Sequence, residues 1–183
     1  MPRLIHLNGP PGIGKSTLAR RYVAEHRGVL NCDVDVLRTL IGGWEDDFIG
    51  AGALIRPAAL AMIEAYLSSG HDVVLPQMLA DPAELTRFEQ SAERAGAQFV
   101  EVFLTDDRDS AVQRFSRRGA GQPDDPWHNQ VRQIISAQGG ESALREWYDA
   151  VAKAMDNRAD ALNVRSVEDD IDGTYERLIE ALA

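Results

Sequence analysis

Nine residues near the amino terminus, Gly9-Pro10-Pro11-Gly12-Ile13-Gly14-Lys15-Ser16-Thr17, constrain this chain more than any other stretch. They fit the pattern G-x-x-x-x-G-K-[ST]. The apolar run Leu4-Ile5-His6-Leu7-Asn8 precedes them with strand character, and Leu18 to Ala24 continues as a helix. A glycine loop between a strand and a helix is the setting in which this pattern cradles phosphate. Glycines at 9, 12 and 14 let main chain approach an anion closely. Pro10 and Pro11 carry no amide hydrogen, so the expected donors are the amides of Gly12, Ile13, Gly14, Lys15, Ser16 and Thr17. Those amides open a helix, whose positive end also favours phosphate. Lys15 is expected to reach the β- and γ-phosphates of a nucleotide, and the Ser16 hydroxyl to ligate magnesium.

The rest of the composition sets limits around that loop. At 183 residues the chain is expected to be one domain, 1–183, burying about 70% of the surface its unfolded form exposes. No run approaches the ~20 apolar residues of a membrane span, and Pro2-Arg3 leads into a strand rather than a signal-peptide core. Cys32 is the only cysteine, so no internal disulfide forms, which suits a reducing cytoplasm. His6, His26, His71 and His128 lack zinc-site spacing, leaving magnesium as the expected metal. A formal charge of −10 repels polyanions, so neither nucleic acid nor an acidic membrane is an expected partner. Monomer and homodimer both stay open. A nucleotide is an anion too, so positive charge must be local, and Arg114, Arg117 and Arg118 supply it in one short stretch.

Strands are expected at about 3–8, 29–33, 71–76, 98–104 and 161–164. Helices are expected at about 15–26, 36–41, from about 52 to Ser69, from Asp81-Pro82 to Ala95, after Thr105-Asp106-Asp107, at 128–137, around Leu144–Met155 and over 167–182. Residues 42–51 have turn formers and no period and read as a loop. Pro57 belongs either at a first-turn position or in a kink. Alternating strands and helices predict an α/β fold: a three-layer α/β/α P-loop NTPase architecture with a five-stranded parallel sheet and a lid segment. Right-handed crossovers place every strand's carboxyl end at one edge, where ligands bind.

Several further groups should converge there. Asp33 and Asp35 end the second strand; a phosphoryl acceptor needs one carboxylate as base, and magnesium wants another. The same pair could instead cap the following helix, and Asp35 could do so unaided. Arg38, one turn on, could pair with Asp35 or reach the substrate. Gln77, after the third strand, can hydrogen-bond an acceptor. Arg114 shares a helical face with Arg117 and Arg118, and the Gly/Pro-rich segment Gly119–Trp127 follows, which suits a lid over about 114–127 that brings guanidinium groups onto the γ-phosphate. Trp44, Phe48 and Trp127, read as loop residues, could line the acceptor pocket.

With these residues in view, the chain resembles the small P-loop kinases of the nucleoside-monophosphate-kinase fold. The branch it is most similar to holds shikimate kinase, gluconate kinase and chloramphenicol phosphotransferase. Gly9–Thr17 resembles the Walker A loop, Asp33-Val34-Asp35-Val36-Leu37-Arg38 the strand-2 Asp-x-Asp or Asp-x-x-Arg segment, and Arg114-Phe-Ser-Arg117-Arg118 the lid's arginine segment. The Asp-x-x-Arg pattern implies Asp35 as base. Shikimate kinases instead use the pair for magnesium and substrate, so Asp33 and Asp35 both stay substrate-side candidates, with Asp33 and Ser16 for the metal. His71–Met78 with Asp81-Pro82 also resembles bacterial tunicamycin-resistance ATP-binding proteins. The strand-3 Gly-Gly or Asp substrate motif of better-known relatives is absent, and the adenine loop would fall at Arg165-Ser166. The resemblance implies ATP and magnesium as cofactors. Lys15, Asp35, Arg117 and Arg118 would be catalytic, and Arg114 and Arg118 would join the loop in holding ATP. The expected activity is transfer of the γ-phosphate of ATP to a hydroxyl of a small molecule. A nucleotide kinase, or a nucleotide-binding ATPase or drug-sequestering protein with no acceptor chemistry, is the alternative.

Overall fold

Short apolar runs between turn residues become the strands of one sheet, and the computed structural model describes residues 1–118 and 126–183. Strands β1 (Arg3–Asn8), β2 (Leu30–Asn31), β3 (Val73–Pro76), β4 (Gln98–Thr105) and β5 (Leu162–Arg165) lie in the order β2-β3-β1-β4-β5. All neighbours are parallel. Every residue of β3 is buried, as expected of a strand covered on both faces. β1 lies in the middle, with β3 on one side and β4 on the other.

Among the described residues there are eight helices: α1 (Lys15–Glu25), α2 (Val34–Arg38), α3 (Phe48–Ser68), α4 (Pro82–Arg94), α5 (Arg108–Arg118), α6 (Pro126–Ala137), α7 (Glu141–Asp156) and α8 (Ile171–Leu182). Successive strand residues point to opposite faces, and the two cores follow that alternation. On one face Leu4, Val73 and Leu75 meet Ile63 and Leu67 of α3 and Phe88 of α4. On the other, Ile5, Leu7 and Val74 meet Leu18 and Tyr22 of α1 and Leu178 of α8. A smaller core joins Val112 and Phe115 of α5 to Val131, Ile135 and Leu144 of α6 and α7. Cys32 is buried in the first core, where burial pushes its thiol up to about 12.

Two details depart from the sequence reading, and two that it left open, the place of Pro57 and the cap of α2, are decided. The stretch 42–51 is not a loop throughout: α3 starts at Phe48, because the Asp47 carboxylate accepts the Gly50 amide at 2.9 Å and caps it. Pro57 lies in the helix interior, away from its first turn. The cap of α2 is Asp33, whose Oδ1 accepts the Asp35 amide at 3.1 Å, so Asp35 does not do that job. Finally, α6 begins at Pro126, which removes Pro126 and Trp127 from the expected loop; residues 119–125 of it lie outside the described residues.

Helix α3 also overturns the expectation that no stretch has the length of a membrane span. Its 21 residues hold an 18-residue window of mean hydropathy 1.5, which reaches that length and composition. One row of it, Ala51, Ile55, Ala59, Ile63 and Leu67, has four-residue spacing and is buried, the pattern of a helix laid on a core. Ile63 is fully covered while Leu54 is 69% exposed. In chemical denaturation Ile63→Ala should therefore cost about 2–5 kcal/mol and Leu54→Ala less than about 0.5 kcal/mol. Equal losses would mean that α3 does not rest on the sheet as described.

Candidate active site

The glycine loop leaves the carboxyl end of β1 and is pinned from three directions. The Gly9 amide donates to Asn8 Oδ1 at 2.9 Å. A Cβ at Gly9 would stand 2.9 Å from the Leu104 carbonyl oxygen, and one at Gly12, where φ is +81°, 3.1 Å from the Phe115 backbone. Both glycines thus seat the loop against the end of β4 and against α5. Two of the six expected amide donors bond inside the loop, Ile13 to Pro10 at 3.4 Å and Thr17 to Gly14 at 3.1 Å. Lys15 Nζ arches back over it and donates to the carbonyls of Gly9 at 2.7 Å and Pro10 at 2.9 Å. Ser16 lies in the first turn of α1, half-buried.

Opposite the loop, the end of β2 brings in the acids. Asp33 is buried, and Asp35 sits in the first turn of α2 with a quarter of its side chain exposed. Arg38 follows one turn later, as the three-residue spacing requires; its Nη2 stands 3.4 Å from Asp35 Oδ1. Far from being a solvated surface residue, Arg38 is only 6% exposed. Its guanidinium lies 3.8 Å over the Phe48 ring, and a Cβ at Gly52 would come within 3.0 Å of its Nη2. Glycine in this turn of α3 is what makes room for the arginine. Arg38 Nε has no hydrogen-bond partner among the described residues, and burial pulls the group down against the attraction of Asp35. Burial likewise pushes the Asp35 carboxyl up to about 6, with Arg38 and Lys15 pulling the other way.

Gln77 completes this side: it is buried, and its Oε1 has no partner among the described residues. Arg56, which the sequence reading did not single out, acts on Asp35 electrostatically from α3 and pairs with Glu84 at 3.3 Å. Phe48, expected in a loop, is the first residue of α3, and Trp44 is half-buried just before it. The side chain of Trp127 lies outside the described residues.

The arginines of α5 stand elsewhere. Arg114 donates to Asp106 at 2.9 Å and to the Ser166 carbonyl at 3.2 Å, while the Ser166 hydroxyl donates to the Ile13 carbonyl at 2.7 Å. Arg117 pairs with Glu168 at 2.6 Å. The side chain of Arg118 and the rest of the expected lid lie outside the described residues. A cavity of about 380 Å³ opens between Gly12, Gly14, Thr17, Arg114, Arg117 and Ser166. Of the expected adenine pair, Ser166 lines it and Arg165 does not. None of Asp33, Asp35, Arg38 or Gln77 lines it either, so the loop separates a roomy arginine side from an acid side.

Among the described residues no three of His, Cys, Asp or Glu cluster as a metal cage. Magnesium keeps several waters and takes one or two protein oxygens besides phosphate, and the Ser16 hydroxyl and Asp33 carboxylate are oxygens of that kind. Ser16 and Asp33 are the groups available, and one Asp33 oxygen already caps α2. Sequence reasoning missed Asn8, Glu101 and Asp106 as partners of site residues. For Asn8 and Glu101 a signal existed: each is a polar residue next to apolar ones in a central strand of the sheet.

The Asp35 environment makes a testable demand. Its native carboxyl titrates near 6, against about 3.9 in an unfolded chain, so the native state holds the proton more tightly. Stability from this group is complete below about pH 4 and is lost as pH rises towards 6. Asp35→Asn should therefore melt higher than the wild type at pH 7.5, and the gap should close by pH 4. A variant that melts lower at pH 7.5, as loss of a helix cap would give, contradicts the arrangement.

Comparison with known proteins follows the same outline. No curated protein matches the sequence. Among solved structures, the chain is similar to a putative kinase from Chloroflexus aurantiacus J-10-fl, with 18% identity, a TM-score of 0.69, and coverage of 99% of this chain and 96% of that one. It is also similar to a gluconokinase from Sinorhizobium meliloti 1021, with 21% identity, a TM-score of 0.60, and coverage of 99% and 90%. The expected α/β P-loop fold, with an all-parallel five-stranded sheet and flanking helices, is the observed one. Residues 4–138, more than half of the chain, match the family model described as AAA domain (AAA_33), and the chain belongs to that family.

Proposed function

We propose that this protein is an ATP-dependent phosphotransferase that moves the γ-phosphate of ATP to a hydroxyl group of a small molecule. The observation that carries the reading is the position of Asp35: a carboxylate raised to about 6, steadied by Arg38, and within electrostatic reach of the phosphate-loop lysine. A base is most useful when its pKa lies near the working pH. The similarity to a gluconokinase supports a kinase with an alcohol acceptor, and the family membership supports nucleotide binding.

The geometry supports the following division of roles. Loop amides and Lys15 hold the β- and γ-phosphates, the lysine exchanging the Gly9 and Pro10 carbonyls for phosphate oxygens. Ser16 and Asp33 would hold magnesium, which when bound neutralises charge on the transferring group. Asp35 orients the acceptor hydroxyl and takes its proton as that oxygen bonds to the γ-phosphorus and the bond to the β–γ bridging oxygen breaks. Gln77 Oε1, buried without a partner, accepts a hydrogen bond from the acceptor, and Arg38 Nε donates to it. Arg114 and Arg117 line the cavity beside the loop, the place for the nucleoside end. The transition state asks mainly for positioning and charge, and these residues supply both.

Two substitutions test this. Lys15→Ala should abolish ATP binding by calorimetry. Asp35→Asn should leave ATP affinity within a few-fold of the wild type and lower turnover about 10²–10⁴-fold, once a screen of hydroxylated compounds has found the acceptor. Normal turnover by the Asp35 variant would move the protein to the acceptor-free ATPase class.

A further inference from the structure

Behind the glycine loop lies a buried polar group of residues that the transfer chemistry does not use. His6, Asn8 and Glu101 are all buried in the central strands β1 and β4, where His6 and Glu101 are register partners. Asn8 and Glu101 occupy positions where apolar side chains would pack without cost, and each polar atom there must be satisfied.

Asn8 uses its whole amide. Its Oδ1 accepts the amide of Gly9 at 2.9 Å and of Leu79 at 3.1 Å, and its Nδ2 donates to the Leu79 carbonyl at 2.9 Å and to Glu101 Oε1 at 3.3 Å. One oxygen therefore ties the first residue of the phosphate loop to the segment after β3. His6 makes a second tie: its Nε2 donates to the Gln77 carbonyl at 2.8 Å, while its Nδ1 lies 3.4 Å from Glu101 Oε1 without completing a hydrogen bond. Glu101 is the common anchor, its other oxygen held by Arg158 Nε at 2.7 Å, and Arg158 in turn held by Glu89 at 3.1 Å. Glu101 shares in fixing which way the Asn8 amide points: reversed, the amide would set its oxygen against the Glu101 carboxylate and the Leu79 carbonyl, and its NH₂ against the Gly9 and Leu79 N–H groups.

We infer that Glu101 is a positioning residue which, through Asn8 and His6, couples the entry of the phosphate loop to the Gln77–Leu79 turn, so that both sides of the site keep one geometry. Coupling between the two strands' ends is set in the ligand-free protein; that these ends serve nucleotide and acceptor rests on the function proposed above. Burial alone would raise the Glu101 carboxyl, yet His6, Asn8 and Arg158 hold it below the ordinary value, which keeps the anchor charged.

Residue-resolved amide exchange on the full chain tests this. Glu101→Gln keeps the size and removes the charge. Without ligand it should speed exchange at Gly9 and Leu79 together, by about tenfold, the effect of one lost hydrogen bond, and leave the amides of α8 unchanged. Arg158→Lys, which keeps a cation at the outer end, should stay nearer the wild type. Adding ATP with magnesium should slow both amides in the wild type but only Gly9 in Glu101→Gln. Faster exchange at Gly9 with Leu79 unmoved, or equal acceleration throughout the chain, overturns the coupling. If ATP changes neither amide in the wild type, the nucleotide reading falls, and the ligand-free comparison still decides the coupling. Should Glu101→Gln not fold, Asn8→Asp, which turns the Nδ2 donor into an acceptor facing Leu79 and Glu101, should give the same paired acceleration.

Discussion

The site depends on β1 lying between β3 and β4 in a wholly parallel sheet. Parallel ladders aim every strand's carboxyl end the same way, so the loops that leave them share one edge. The glycine loop then finds the β3 turn on one flank and the end of β4 on the other. It is fixed by contact rather than by its own stiffness: the Leu104 carbonyl and the Phe115 backbone fill the space that side chains at Gly9 and Gly12 would take. Moving β1 to an edge would leave the phosphate loop with one neighbour and no defined distance to the acids that follow β2.

Charge is arranged against the grain of the whole molecule. A chain of net charge −10 concentrates its useful cations at this edge and then restrains each of them. Arg38 is stacked on Phe48 and paired with Asp35; Arg114 is held by Asp106 and Ser166; Arg117 is held by Glu168. Phe48 also packs against the small core of α5, α6 and α7, so the ring beneath Arg38 joins the acid side of the site to the helices that carry the other arginines.

The parts legible in the sequence were those written in neighbouring letters. The glycine loop, the alternation of strands and helices, and the Asp33-Val34-Asp35-Val36-Leu37-Arg38 spacing all express local geometry, and the sheet and site edge followed from them. What stayed hidden depended on partners far along the chain. Asn8 and Glu101 bond across 93 residues, and Arg38 is buried because Gly52 and Phe48 come to it from another helix. The cap of α2 stayed open in the sequence for a subtler reason: Asp33 and Asp35 are chemically equivalent caps, and only the turn of the backbone after β2 selects between them. The early start of α3 was missed because Asp47 could as easily have belonged to a turn.

Lys15 leaning on the carbonyls of Gly9 and Pro10 gives the loop a threshold. An arriving anion does not meet a bare ammonium; it must replace two oxygens already in place, so what the loop senses is the difference between carbonyl and guest. A weakly charged, loosely held ion such as chloride offers little beyond what those carbonyls provide. A polyphosphate, able to take the lysine and several amides at once, offers much more. Under the function proposed above, the loop's own backbone acts as a reference ligand, and selectivity for multiply charged phosphate would arise from competition with it.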